Sequence, residues 1–133
     1  MNRSYPRTRS IVSDIQYHFV FCSRYRRRIF DIPNAETQFR KSLNEVCEKL
    51  NINILDMKCS IDSVYLYLNC PPSLSPTQVM SKIKTATGNA MISNILELSK
   101  MPNVWTLNYY VSTMPIIRDE EIKNYIESQR KRY

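Results

Sequence analysis

The stretch Asp62-Ser63-Val64-Tyr65-Leu66-Tyr67-Leu68 decides how this chain folds. Side chains of a strand point alternately to its two faces, so Val64, Leu66 and Leu68 form one apolar face while Ser63, Tyr65 and Tyr67 form the other. The apolar face belongs in a core. Residues at i and i+2 on the polar face project side by side, which is the spacing at which two side chains hold one ion or phosphate. Here the pair is Ser63 and Tyr65. Neither is a strong divalent-metal ligand when neutral, whereas histidines or carboxylates at the same spacing would be.

Outward from this strand the pattern stays regular. Ser13 to Cys22 alternates, with Ile15, Tyr17, Phe19 and Phe21 on one face and Asp14, Gln16, His18, Val20 and Cys22 on the other. His18 is the only histidine, and a lone histidine among sheet residues is expected to be hydrogen-bonded rather than a metal ligand. After Pro33, with Asn34 as N-cap, Phe39, Leu43, Val46, Cys47 and Leu50 recur at helical spacing. Asn51 ends that helix. Asn53 to Cys59 reads as a second strand, joined to the stretch at 62–68 by so short a link that the two should be antiparallel.

Pro71 and Pro72 stop the sheet. Leu74-Ser75-Pro76-Thr77-Gln78 then has the marks of a helix start: Ser75 as N-cap, Pro76 at the first turn, Gln78 closing a capping box. Val79, Ile83, Ala86 and Ala90 mark its buried side, and Lys82 and Lys84 lie off it, free to meet a phosphate backbone. Val104 to Thr113 is expected as a fourth strand. Asp119, Glu120 and Glu121 supply the acidic first turn of a last helix, on which Tyr125 and Gln129 share the inward face with Ile122 and Ile126. The order βαββαβ predicts an α+β, ferredoxin-like antiparallel sheet with helices on one face and an added C-terminal helix. It forms one domain over residues 13–133, behind a basic arm at 1–12.

Composition narrows the function. The chain has 133 residues, 43% of them apolar, which suits one domain with a real core. A single glycine excludes Gly-rich phosphate-cradling loops. No apolar run is long enough for a membrane span or a secretory signal, so a cytoplasmic protein with no membrane partner is expected. Cys22, Cys47, Cys59 and Cys70 match no zinc spacing and are expected to be free thiols. The net charge of +7 is concentrated at Arg3, Arg7 and Arg9, at Arg24, Arg26, Arg27 and Arg28, and at Arg130, Lys131 and Arg132. Such clusters point to a polyanion. The arginines flanking Tyr25 combine phosphate forks with a face for a base to stack on, which suits single-stranded nucleic acid.

From Tyr17 to Gln129 the chain resembles the single-tyrosine HUH transposases of small bacterial insertion sequences, the TnpA-like family. The resemblance rests on Tyr17-His18-Phe19-Val20-Phe21 running into Ser23-Arg24-Tyr25-Arg26-Arg27, and on Asp62-Ser63-Val64-Tyr65-Leu66 followed by Pro71-Pro72 and Leu74-Ser75-Pro76. Trp105 leading to Tyr109-Tyr110-Val111-Ser112-Thr113, and Tyr125-Ile126-Glu127-Ser128-Gln129, complete it. It implies the same ferredoxin-like core, a homodimer and recognition of DNA hairpins. It also implies a divalent ion held by two histidines and the helix glutamine, with the helix tyrosine forming a 5′-phosphotyrosine link. By position the nucleophile is Tyr125, the third ligand Gln129, and the two histidines are replaced by Ser63 and Tyr65.

A phenol with a pKa near 10 is well under ~1% ionised at neutral pH, and a metal Lewis acid supplies several kcal/mol to such a displacement. Without strong ligands the site is expected to be catalytically inactive, with Tyr125 vestigial, no metal at Ser63, Tyr65 and Gln129, and no cofactor. On a regular strand Asp62 points away from Ser63 and brings no help. The expectation is therefore a domesticated, transposase-derived protein that binds hairpin-forming single-stranded DNA or RNA through Arg24, Tyr25, Arg26, Arg27, Arg28, Lys82 and Lys84 and regulates gene expression. The alternative is an active single-strand DNA transposase using Tyr125 and a non-standard Mg or Mn site that recruits Asp62 or His18. A ferredoxin-like interaction or small-ligand module with a merely basic surface is the third possibility.

Overall fold

The computed structural model describes residues 11–131, so the basic arm up to residue 10, with Arg3, Arg7 and Arg9, and the terminal Arg132 lie outside the described residues. Strand β1 (Ile15–Cys22) is followed by helix α1 (Ala35–Lys49), strands β2 (Asn53–Cys59) and β3 (Ser63–Cys70), helix α2 (Pro76–Asn94), strand β4 (Tyr110–Ser112) and helix α3 (Asp119–Arg130). The strands form one antiparallel sheet in the order β2-β3-β1-β4, the ferredoxin-like arrangement expected.

Alternation sets the register of the central pair. Tyr17 opposes Leu68, Phe19 opposes Leu66 and Phe21 opposes Val64, so the apolar faces of β1 and β3 coincide. Against them pack Phe39, Leu43 and Cys47 of α1 and Val79, Met80, Ile83 and Met91 of α2, all in one buried cluster. Strand β2 keeps its own apolar residues on this face through a bulge between Ile54 and Asp56, after which Met57 opposes Leu66 and Cys59 opposes Val64. The second face is not left to solvent either. Val20 and Cys22, on the polar side of β1, are buried, and α3 is the element that packs over β1 there.

The helix ends follow local chemistry, with one difference from expectation. At α2 both arms of the capping box are formed: Gln78 N donates to Ser75 Oγ at 3.1 Å, and Ser75 N donates to Gln78 Oε1 at 2.8 Å. Asn34 does occupy the position before α1, but its side chain makes no capping bond; its backbone is left-handed, φ 68°, and its carbonyl accepts from Gln38 N. Asparagine is used there for its tolerance of that conformation, as is Asn51 (φ 58°) beyond the other end of α1.

The expected strand at 104–113 is shorter than predicted. Ser23 opposes Trp105 and Val20 opposes Tyr110, so three steps on the β1 side face five on the segment leading into β4. Two surplus residues must leave the ladder, and Leu107 and Asn108 do so, Leu107 being 95% exposed. Trp105 is what fixes this detour. Its ring meets Phe21 edge-on at 4.8 Å and Phe39 at 5.6 Å, and its Nε1 donates to Thr87 Oγ1 at 3.1 Å. The single Gly88 lies beneath that ring inside α2 without interrupting the helix.

Candidate nucleic-acid interface

The arginine cluster becomes a surface because β1 ends in a strained turn. Tyr25 and Arg26 both have left-handed backbones, φ 59° and 56°. Each costs roughly 1–2 kcal/mol for a residue with a side chain, and such a pair persists only where the surroundings over-determine it. They do: Arg24 N donates to Val104 O at 2.7 Å, Ser23 Oγ donates to Arg27 O at 2.6 Å, and Arg27 N donates to Arg24 O at 3.2 Å. The turn thrusts the Tyr25 ring outward, 62% exposed, with the Arg24 guanidinium 5.1 Å above its centre.

The cations predicted from sequence are not equivalent. Arg26 and Arg28 are exposed, Arg28 in an exposed pair with Asp31 at 2.8 Å that contributes little. Arg27 Nη2 donates to Glu97 O at 2.9 Å and so also ties the turn to the chain beyond α2. Lys82 is exposed on α2.

Lys84 is a correction, since it does not stand free for a phosphate. Its Nζ donates to Thr106 O at 2.7 Å and Asn108 O at 2.9 Å and lies over the rings of Phe21 and Tyr109. The carbonyls of the looped-out segment need a donor, and the lysine supplies it. Burial pulls the Lys84 pKa down from 10.5 to about 8. Between those two values the unfolded chain keeps the proton and the folded chain sheds it, so this group makes stability rise with pH in that window and adds no slope below it. Lys84→Met is therefore expected to fall further behind wild type in urea midpoint at about pH 9.5 than at about pH 7. A constant or narrowing gap contradicts this placement.

The positions of the family's metal ligands lie on the other side of the sheet, under α3. Ser63 is 1% exposed and Gln129 5%, and Tyr125 is half-buried with its ring 5.9 Å from Tyr110. His18 is the hydrogen-bonded sheet histidine expected, 3% exposed and stacked 4.1 Å from Tyr67. Its Nε2 lies 2.7 Å from Met114 O, which can only accept, so Nε2 carries the proton and Nδ1 accepts from Tyr65 Oη at 2.8 Å. Burial lowers the His18 pKa and pushes the Tyr65 phenol up to about 12, which keeps both neutral.

Asp62 departs from the expected geometry. It sits in the bend before β3 rather than on the strand, and its carboxylate takes a two-pronged pair from Arg130, Nη2 to Oδ1 at 2.7 Å and Nε to Oδ2 at 3.1 Å. That pair ties the end of α3 to the sheet. Sequence reading placed Arg130 only in the basic terminus, because a partner 68 positions away leaves no local signal.

This donor set does not fit a divalent cation. It consists of a serine hydroxyl, a phenol already donating to His18, and one neutral amide oxygen, Gln129 Oε1, which is buried without a hydrogen-bond partner among the described residues. Among the described residues no group of three or more His, Cys, Asp or Glu could hold a metal. A cleft of about 760 Å³ runs beside Ser63 and Tyr65, lined by three carboxylates, Asp56, Asp119 and Glu120, against Lys58 and Lys123. Such a lining does not attract a phosphodiester. The four thiols are unpaired; burial pushes Cys22, Cys47 and Cys70 up to about 12 and Cys59 to about 11, so they are protonated and inert at neutral pH.

A ferredoxin-like sheet crossed by a helix bearing Tyr125 and Gln129 defines a class, and the chain belongs to the IS200-like transposase family, whose profile matches residues 11–129. The transposase of insertion sequence IS200 from Salmonella typhimurium is 27% identical over 117 residues, 86% of this chain and 76% of that protein. The ISDra2 transposase TnpA of Deinococcus radiodurans is 23% identical over 124 residues, 91% of this chain and 88% of that protein. A crystal structure from Deinococcus radiodurans R1, assigned as a transposase, superposes with a TM-score of 0.82 at 21% identity, covering 92% of this chain and 96% of the other. A REP-associated tyrosine transposase bound to a REP hairpin gives 0.61 at 12% identity, covering 98% and 74%. At these identities the two structures speak for the fold.

Proposed function

We propose that this chain is a transposase-family protein kept for nucleic-acid binding, which grips hairpin-forming single-stranded DNA or RNA and regulates gene expression without cutting strands. The observation that carries this is the split between the two sites. The turn at Arg24–Arg28 presents exposed guanidinium groups around an exposed Tyr25, while the positions that would hold the ion carry neutral groups, one of them committed to His18. Phosphate contacts do not need the ion, so binding survives its loss. The hairpin held by the REP-associated relative is the kind of partner such a surface fits. A homodimer is the form in which the family resemblance has it act, and the cytoplasm is the compartment the sequence leads one to expect.

One observation favours a second reading. Gln129 Oε1 is a buried oxygen with no hydrogen-bond partner among the described residues, and an active transposase with Mg or Mn at a non-standard site would give it one. The two are separated by native gel shifts of labelled DNA and RNA hairpins, with Mn²⁺ or EDTA, from about 50 to about 200 mM salt. Affinity is expected to fall steeply with salt, by orders of magnitude if six or more phosphates are contacted, and to be the same in EDTA. A flat salt response, or binding that requires Mn²⁺, contradicts the proposal.

A further inference from the structure

The exposed side of the arginine turn forms an open basin of about 490 Å³ lined by Tyr25, Arg26, Arg28, Ile61, Asp62 and Arg130. It brings together three guanidinium groups from two distant parts of the chain. One carboxylate, Asp62, lies at its floor, only 6% exposed, and holds Arg130 by both prongs. Asp62 cannot swing away with its backbone, because its carbonyl accepts from Ser23 N at 2.9 Å. Arg130 is held less completely: its side chain remains 39% exposed. Arg26 Nη1 donates to Arg130 O at 3.1 Å, which seats the end of α3 against the turn and leaves the other donors of that guanidinium for a ligand.

We infer that this basin seats a backbone phosphate of the bound nucleic acid, with Arg130 as a phosphate ligand that Asp62 holds in reserve. A guanidinium fork fits two oxygens of a phosphate as it fits those of a carboxylate, so Asp62 occupies the place a phosphodiester would take. Arg26 and Arg28 on the same rim supply charge to draw the phosphate in, and the exposed Tyr25 ring beside them offers a face to the adjoining base. The basin therefore fits a nucleotide chain better than a lone acidic side chain of a protein. Asp62 sets a threshold: each binding event must win Arg130 from a carboxylate already in place.

This assignment rests on the nucleic-acid binding proposed above, and the test separates the two. Anisotropy titrations of a labelled hairpin oligonucleotide across salt are compared for wild type, Asp62→Asn, Arg130→Gln and the double variant. Asp62→Asn keeps the volume and frees Arg130, so binding is expected to tighten roughly tenfold, with a salt slope steeper by about 0.7–0.9. Arg130→Gln is expected to weaken binding, and in its presence Asp62→Asn should change affinity by no more than about twofold and no longer steepen the slope. An unchanged affinity in Asp62→Asn, or a full gain that persists without Arg130, overturns the assignment while leaving nucleic-acid binding intact. Absence of binding by wild type overturns both. Should a variant fail to fold, phenylglyoxal modification of the wild type decides: bound hairpin is expected to protect Arg130, and equal modification with and without it contradicts the role.

Discussion

Arg26→Glu combined with Arg28→Glu is expected to weaken hairpin binding at least about 100-fold near 100 mM salt and to flatten the salt slope by about 1.4–1.8. Two phosphate contacts of ~0.7–0.9 each would be lost, and two repulsive charges would take their place. The fold should hardly notice. Both side chains are exposed, and the bond Arg26 gives the Arg130 carbonyl and the pair Arg28 makes with Asp31 are exposed contacts each worth under about 1 kcal/mol. Gel shift or anisotropy reads the binding, and a urea melt reads the fold. An affinity within about threefold of wild type, with the melt unchanged, would remove the arginine turn from the interface.

Trp105→Ala is expected to have the largest effect on stability, about 3–5 kcal/mol, lowering the thermal midpoint by roughly 10–20 °C. The ring is 5% exposed, packs against Phe21, Phe30 and Phe39, and satisfies its Nε1 on Thr87. Its loss leaves a large cavity where α1, α2 and the sheet meet. The damage should reach function as well, because the segment Trp105 anchors supplies Val104 O to Arg24 N and donates Thr106 N to Cys22 O, the bonds that open the arginine turn. Folded variant at low temperature is therefore expected to bind hairpin more weakly than wild type. A urea midpoint shifted by less than about 1 kcal/mol equivalent would mean that Trp105 is not the anchor.

What the sequence made legible was what depends on period and on neighbours. The alternation at Val64, Leu66 and Leu68 and at Tyr17, Phe19 and Phe21 gave both the buried face and the pairing of β1 with β3, because a one-residue slip would turn either set outward. The capping box at Ser75 was equally local. The start of the fourth strand, the lysine and the aspartate were not. Whether Val104–Thr113 pairs throughout depends on where Trp105 is anchored and on Lys84, which takes the carbonyls of Thr106 and Asn108 from a different element, and this same contact removes Lys84 from the phosphate surface. Asp62 could be read only as the residue before a strand, since the group that claims it lies at the end of α3. The replacement of two histidines by Ser63 and Tyr65 was visible at once. That the Tyr65 hydroxyl is committed to His18 took the pairing of two strands to see.

The most direct test is the denaturing arm of the hairpin experiment: protein and labelled single-stranded hairpin incubated with Mn²⁺ or EDTA, denatured, and resolved for covalent adducts, with Tyr125→Phe alongside. No adduct is expected from wild type in either condition, although the native gel shows the same protein bound. A Mn²⁺-dependent adduct that disappears in Tyr125→Phe would contradict this and show that the chain cleaves DNA despite Ser63 and Tyr65.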